Sequence, residues 1–255
     1  MKLKKDYFSN WLNGAMLPSE IFWLQKNILE IGCDLIIECG RQDGFSTLIL
    51  GEFAKENNIK VLSIDFDDNV DKLNSCIKKL EGLPVECVSG DIHFHVPRLV
   101  NEYPEAKICI IQDGPKGWEG MATLLASAFY NQVKLIAQHN LHVGHNSRNY
   151  FISIPGGECS FLEDSKSSDL LNFREDEIRY FEKVKANRNL DLTSLGIIKL
   201  GNNRKELIKY LYETSRETGY WSPINVFVNW QFGNFSFVSK LRKDVKYKLS
   251  RFKKR

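Results

Sequence analysis

The stretch IIECGRQDGFSTLIL, residues 36–50, decides how this chain folds. An apolar run ends at Glu38 and Cys39, two glycines follow four residues apart at Gly40 and Gly44, and an apolar segment resumes behind Ser46 and Thr47. A short buried strand that turns tightly into a helix has this pattern. Glycine in the turn permits positive φ and lets the backbone approach a bound molecule closely.

The alternation continues on both sides. Upstream, SEIFWLQKNILEIGC (19–33) begins with Ser19, a residue suited to cap a helix, and places Ile21, Phe22, Leu24, Ile28, Leu29 and Ile31 at roughly helical spacing. Downstream, the apolar runs KVLSID, PVECVSGD, KICIIQD and KLIAQHN alternate with helix-length stretches at 45–56, 68–81, 96–102 and 118–131. Five strands interleaved in this way predict an α/β fold: a doubly wound, mostly parallel, Rossmann-like sheet with helices on both faces. Past Asn140 the rhythm changes. Residues 156–172 are turn-rich and polar and read as a long loop or lid, after which helix 173–188, strand 194–201, helix 203–218 and strand 224–232 extend the sheet. One domain is expected over 1–237, with a helical lead-in at 1–34, a ligand-binding half at 35–140 and the lid and last strands at 141–237.

With 255 residues and 43% hydrophobic composition, the chain can bury a large core. Six scattered cysteines without a C-x-x-C pair read as buried free thiols of a reducing compartment. No uncharged apolar stretch reaches the ~18 residues of a membrane span, and the lysines near the start lack the apolar run of a secretory signal. The expected location is cytoplasmic. The net charge of +3 conceals an asymmetry, because the tail 238–255 holds nine Lys or Arg against one Asp and leaves −5 on residues 1–237. An acidic body argues against a nucleic-acid partner. The tail also spaces Leu241, Val245, Leu249 and Phe252 as one apolar stripe, suited either to the anionic inner face of a membrane or to packing on its own domain.

In a doubly wound sheet the ligand lies beyond the carboxyl ends of the strands. The first turn, Gly40-Arg41-Gln42-Asp43-Gly44, lacks the closely paired glycines of a dinucleotide fingerprint, which favours a ligand without pyrophosphate. Here the sequence resembles the class I S-adenosylmethionine-dependent methyltransferases, over roughly residues 20–140. The family's first motif, an acidic residue, any residue, then Gly, matches Glu38-Cys39-Gly40, with Gly44, Ser46 and Thr47 completing the cosubstrate turn. The resemblance assigns Asp65, at the end of VLSID, to the ribose hydroxyls, Asp91 of SGDIHFH to the adenine amino group, and Ile92 to the adenine face. His93 and His95 would share one side of an extended segment, and read as surface residues more readily than as a metal site.

At the chemical end, KICIIQD runs into Asp113-Gly114-Pro115-Lys116, and KLIAQ into His139-Asn140. These segments resemble the caffeoyl-CoA and catechol O-methyltransferase branch, where an Asp, a Lys three residues on and a later Asp-Asn pair bind a divalent cation and deprotonate the acceptor hydroxyl. The resemblance implies Asp113, His139 and Asn140 as cation ligands (Mn, Mg or Fe) and Asp113, Lys116 and His139 as catalytic residues. His139 departs from the family's Asp. An imidazole there weakens the case for Mg²⁺ and makes softer ions more tolerable. The rival reading needs no metal, with His139 itself taking the acceptor proton. His142, His145 and Arg148 would line the acceptor pocket, with Arg148 available to an anionic group.

The expected activity is methyl transfer from S-adenosylmethionine, with S-adenosylhomocysteine as product, to a hydroxyl or phosphate-linked oxygen of a small or sugar-like acceptor, as in bacterial capsule or surface-polysaccharide biosynthesis. Two other readings stay open: a nucleotide-sugar or NAD-linked oxidoreductase, and a catalytically silent S-adenosylmethionine-binding scaffold.

Overall fold

The computed structural model describes residues 6–11, 15–66, 69–115, 117–184 and 194–201, with residues 206, 207, 209, 210 and 213 beyond them. Lys116, most of the helix expected at 203–218, the strand expected at 224–232 and the basic tail 238–255 lie outside the described residues.

Two leading helices, α1 (Asp6–Ser9) and α2 (Pro18–Ile31), precede the sheet. It then forms by strict alternation: β1 (Leu35–Cys39), α3 (Phe45–Asn57), β2 (Lys60–Asp65), α4 (Val70–Lys79), β3 (Val85–Ser89), α5 (Ile92–Glu102), β4 (Ile108–Gln112), α6 (Gly117–Ser127) and β5 (Val133–Gln138). After α7 (Asn146–Ile152) come β6 (Gly157–Phe161), α8 (Ser168–Lys183) and β7 (Gly196–Leu200). The seven strands lie in the order β3-β2-β1-β4-β5-β7-β6. The first five pair in parallel, and β7 runs antiparallel between β5 and β6. This is the doubly wound, mostly parallel, Rossmann-like sheet expected from the sequence.

The period of two along each strand divides the core. Leu35, Ile37 and Cys39 pack with Val96, Leu99, Met121 and Leu125 of α5 and α6 on one face. Ile36 of the same strand packs with Phe22 and Ile28 of α2 and Ile49 and Leu50 of α3 on the other. All five positions of β1 and of β4 are buried, as central parallel strands covered on both faces require. The strand order reverses between β1 and β4, so the cleft opens at the carboxyl ends of these two strands.

Three local expectations are corrected. Residues 157–161, read as part of a lid, form the edge strand β6, paired with β7 from Gly157↔Leu200 to Phe161↔Gly196. An edge strand needs only one satisfied side and tolerates the half-exposed, polar sequence GECSF, so its composition resembles a loop. The segment carrying His93 and His95 is the helix α5, which starts at Ile92 and includes Pro97, not an extended run. Ser19 lies inside the first turn of α2 and not at its cap. Its backbone N–H and hydroxyl donate to Glu177 of α8 at 2.9 and 2.6 Å, while Glu20 accepts the Leu17 N–H at 2.9 Å.

Candidate active site

The first turn leaves β1 at Gly40 with φ +100° and enters α3 at Gly44 with φ +75°. At Gly40 a Cβ would lie 2.5 Å from the Gly114 nitrogen and 2.7 Å from the Asp113 carbonyl carbon, so the turn needs glycine to clear the end of β4. The Asp113 N–H donates to the Cys39 carbonyl at 2.8 Å and closes the same junction. Gln42, also at positive φ, donates its backbone N–H to Asp65 Oδ2 at 2.7 Å, and Phe66 N–H donates to Oδ1 at 2.7 Å. The Asp65 carboxylate at the end of β2 is therefore tied to the glycine turn of β1, as a residue shared between two adjacent strand ends.

Glu38, Ser46 and Thr47 face inward. Glu38 is fully buried and accepts hydroxyl hydrogen bonds from Ser46, Thr47 and Ser63, each at 2.6 Å. Burial pushes its carboxyl above the usual range against the pull of those three hydroxyls. These residues brace the turn from beneath. The buried Arg41 extends the brace, donating from Nη1 to the Ser63 carbonyl of β2. On the third strand, Asp91 caps α5 by accepting the His93 N–H at 2.9 Å, and Ile92 is buried beside it. Both follow β3 at the same end of the sheet as Asp65.

At the ends of β4 and β5 the chain gathers Asp113, His139 and Asn140. His139 Nδ1 lies 2.7 Å from Asp113 Oδ1, and the Asn140 amide nitrogen lies 3.3 Å from that oxygen and 3.0 Å from His139 Nδ1. Asn140 adopts φ +65°, a conformation that asparagine tolerates better than most residues. The ring is buried, and its other nitrogen, Nε2, lies 3.5 Å from Oε2 of the fully buried Glu20. Carboxylates thus face both ring nitrogens, Asp113 within hydrogen-bond distance of Nδ1 and Glu20 at ion-pair distance from Nε2. Burial alone would lower the ring's pKa, but the Asp113 and Glu20 carboxylates raise it to about 9. Glu20, despite the opposing effect of burial, is held at about 2 by His139 and by the Leu17 and Ser194 N–H groups.

Sequence reasoning missed Glu20. An acidic residue in the first helical turn is ordinarily read as a partner of the helix dipole, and the useful signal was its place three residues after an apolar cap with no Ser or Thr to do the capping.

This geometry bears on both readings of the chemical end. The flanking carboxylates favour the protonated ring, which weighs against His139 as the proton acceptor. As a cation site the set is engaged with itself, since Asp113 Oδ1 lies within hydrogen-bond distance of both His139 and the Asn140 amide. Among the described residues no group of three or more His, Cys, Asp or Glu is arranged to hold a metal.

The loop after β5 is more open. His142 and His145 are exposed, and His145 Nδ1 accepts the Ser147 N–H at 3.2 Å at the start of α7. Arg148 is engaged elsewhere: it pairs with Glu163, donates to the Leu141 carbonyl at 3.2 Å, and stacks 3.6 Å from the centre of the Phe161 ring. That does not support its expected role with an anionic acceptor. All six cysteines are free thiols, four of them buried, and among the described residues no helix is long and apolar enough to cross a membrane.

No family model and no curated protein matches the chain. Solved structures resemble it distantly. The O-methyltransferase TomG from Streptomyces achromogenes, involved in tomaymycin synthesis and solved with SAM, is 12% identical with a TM-score of 0.48, covering 78% of this chain and 91% of that one. An O-methyltransferase from Bacillus cereus in complex with SAH is 15% identical with a TM-score of 0.45, covering 78% and 92%. CalS11, a TDP-rhamnose 3'-O-methyltransferase of calicheamicin biosynthesis, is 13% identical with a TM-score of 0.45, covering 65% and 79%. At these values the likenesses stand beside the strand order and add no argument to it.

Proposed function

We propose that the chain is an S-adenosylmethionine-dependent O-methyltransferase acting on a small or sugar-like acceptor. The observation that carries this reading is the junction of Asp65 with the glycine turn: a strand-end carboxylate, fixed by the Gln42 N–H at 2.7 Å, lies beside the turn that packs on the end of β4. A carboxylate so placed suits a ribose, and the turn suits a ligand that needs no pyrophosphate cradle. The polar cluster of Asp113, His139 and Asn140 then lies where a reacting group would meet the cosubstrate. Bound there, S-adenosylmethionine would supply an electrophilic methyl group to an acceptor oxygen, leaving its electron pair on sulfur, and the acceptor proton would pass to a base of the site. The protein's part is alignment, proton removal and exclusion of water.

Surface-polysaccharide precursors are the acceptor class to screen first, because among the described residues the exposed loop after β5 offers the polar His142 and His145. The tail 238–255, with nine cations, would hold such an enzyme near an anionic membrane surface. The deciding experiment is calorimetry of the purified full chain with S-adenosylhomocysteine and with NAD, paired with mass spectrometry of any copurifying nucleotide. Binding of S-adenosylhomocysteine alone is expected. Binding of NAD alone would transfer the chain to the oxidoreductase reading, and S-adenosylmethionine binding without turnover of any screened acceptor would favour the silent scaffold.

A further inference from the structure

Cys76 joins α4 both to the glycine turn and to the edge of the sheet. It is the buried position of α4, 1% exposed. A Cβ added at Gly44 would lie 2.5 Å from its Sγ, so the sulfur is seated directly against the residue where the turn enters α3. Two lysines of α4 hold the same turn: Lys72 Nζ lies 3.3 Å from Asp43 Oδ1, and Lys79 Nζ donates to the Asp43 carbonyl at 3.1 Å. The Cys76 thiol also hydrogen-bonds to the thiol of Cys87, in the middle of β3. Cys87 pairs in register with Ser63, whose hydroxyl and carbonyl brace the turn through Glu38 and Arg41. Both cysteines are free thiols, and whereas Cys76 is enclosed, Cys87 is half-buried on an edge strand.

We propose that Cys76 and Cys87 are a modification site, a thiol pair that a peroxide converts to a disulfide and that thereby transmits oxidation to the glycine turn. Cys87 is the sulfur a small oxidant can reach. Its thiolate attacks the peroxide, the oxygen–oxygen bond breaks, and a sulfenic acid forms as hydroxide leaves. The hydrogen bond to Cys87, and burial after it, push the Cys76 thiol up, so Cys76 keeps its proton and acts second, as the resolving thiol. Contact between the two sulfurs offsets its weak nucleophilicity by proximity. The Cys76 sulfur displaces the sulfenic oxygen, the sulfur–sulfur bond forms, and the thiol proton leaves with the hydroxyl as water. Two thiols have then given up two electrons and two protons, and the peroxide has become two waters. Closing the bond brings the sulfurs to ~2.05 Å. Cys76 therefore leaves its seat on Gly44, and α4 shifts together with the lysines that hold Asp43. A turn so displaced binds S-adenosylhomocysteine more weakly; this consequence, unlike the bond itself, rests on the methyltransferase reading. Thiols that served only as packing would ignore peroxide, as the fully enclosed Cys33, Cys39 and Cys109 should.

The test treats the reduced full chain with hydrogen peroxide, alkylates the remaining thiols after unfolding, and maps the peptides by mass spectrometry. The expected product is one peptide pair joined through Cys76 and Cys87, with Cys33, Cys39 and Cys109 recovered as alkylated thiols. Calorimetry of the oxidised protein should show S-adenosylhomocysteine affinity about fivefold or more below that of the reduced protein, restored by dithiothreitol. Cys87→Ser should keep its affinity through the same treatment. Absence of the Cys76–Cys87 link in wild type, unchanged affinity with the link in place, or an equal loss of affinity in Cys87→Ser would each overturn the proposal. Should Cys87→Ser fail to fold, oxidation of wild type and its reversal by dithiothreitol still decide. If reduced wild type does not bind S-adenosylhomocysteine, the methyltransferase reading fails, and the peptide map alone decides whether the pair is an oxidisable site.

Discussion

His139 Nδ1 lies 2.7 Å from Asp113 Oδ1 and joins the ends of the neighbouring strands β5 and β4 inside the protein. Replacing the ring by His139→Gln would leave Glu20 and Asp113 without their cation, and removing one partner of a buried ion pair costs about 3–5 kcal/mol. The pH dependence follows from the two shifts. His139, raised from 6.5 to about 9, contributes stability that is complete below pH 6.5 and is lost as pH rises through 9. Glu20, lowered from 4.5 to about 2, contributes stability that is present above pH 4.5 and is lost as pH falls through 2. The deficit of His139→Gln in urea denaturation should thus be largest between pH 4.5 and 6.5 and should shrink above pH 9. An equal deficit at pH 6 and pH 10 would mean that the ring is neutral in the folded protein.

Asp65 fixes the glycine turn and carries the ribose in the proposed function. Asp65→Ala removes the acceptor of the Gln42 and Phe66 N–H groups and the carboxylate assigned to the ribose. S-adenosylhomocysteine binding should weaken by ~1.5–3 kcal/mol, the scale of a hydrogen bond to a charged group. Calorimetry reads this directly, and wild-type affinity in the variant would remove Asp65 from the site.

Two glycines with similar backbone separate close packing from conformational strain. Gly40 has φ +100°, and an added methyl carbon there would meet backbone atoms of Asp113 and Gly114 within 2.7 Å, whereas Gly82 has φ +77° with nothing within 4 Å. Gly82→Ala should cost only the left-handed conformation, about 1–2 kcal/mol. Gly40→Ala must also push β1 and β4 apart, adding about 1–3 kcal/mol for overpacking. Thermal denaturation of the two variants measures the difference. Equal losses would mean that the β1 turn has room to relax.

The sequence carried the sheet because its information there is local. Runs such as LIIEC and ICIIQ are apolar at nearly every position, as a strand buried on both faces must be, and the glycine turn and Asp65 mark the strand ends by residue type alone. The edge strand β6 was hidden because one exposed side relaxes the pattern that identifies a strand. The role of Glu20 was hidden for a different reason: its contact with His139 is made by tertiary folding, between segments far apart in the chain, and no spacing encodes it. His139 and Asp113 were identifiable as a pair of strand-end residues. The third group beside them, the Glu20 carboxylate, was not.

Glu177 supplies a second pH signature, linked to that trio only through the nearby Glu20. It is buried on α8, 1% exposed, and accepts the Ser19 N–H and hydroxyl at 2.9 and 2.6 Å, tying α8 to the first turn of α2. Burial raises its carboxyl from 4.5 to about 7, with the nearby Glu20 adding to the rise and the Ser19 contacts opposing it. The folded state therefore holds this proton more tightly than the unfolded chain does. The sign follows: the favourable contribution is complete below pH 4.5 and declines as pH rises through 7, where the folded protein must bury a charge. Glu177→Gln removes that ionisation while keeping an oxygen to accept from Ser19. Relative to wild type, the variant should gain stability on the order of 3 kcal/mol between pH 4.5 and pH 8. Taking the difference between the two proteins cancels the contributions of His139 and Glu20 to first order, so urea denaturation at those two pH values isolates Glu177. A difference that stays flat would show that Ser19 satisfies the carboxylate well enough to keep it ionised, and that the junction of α2 with α8 carries no titrating group near neutral pH.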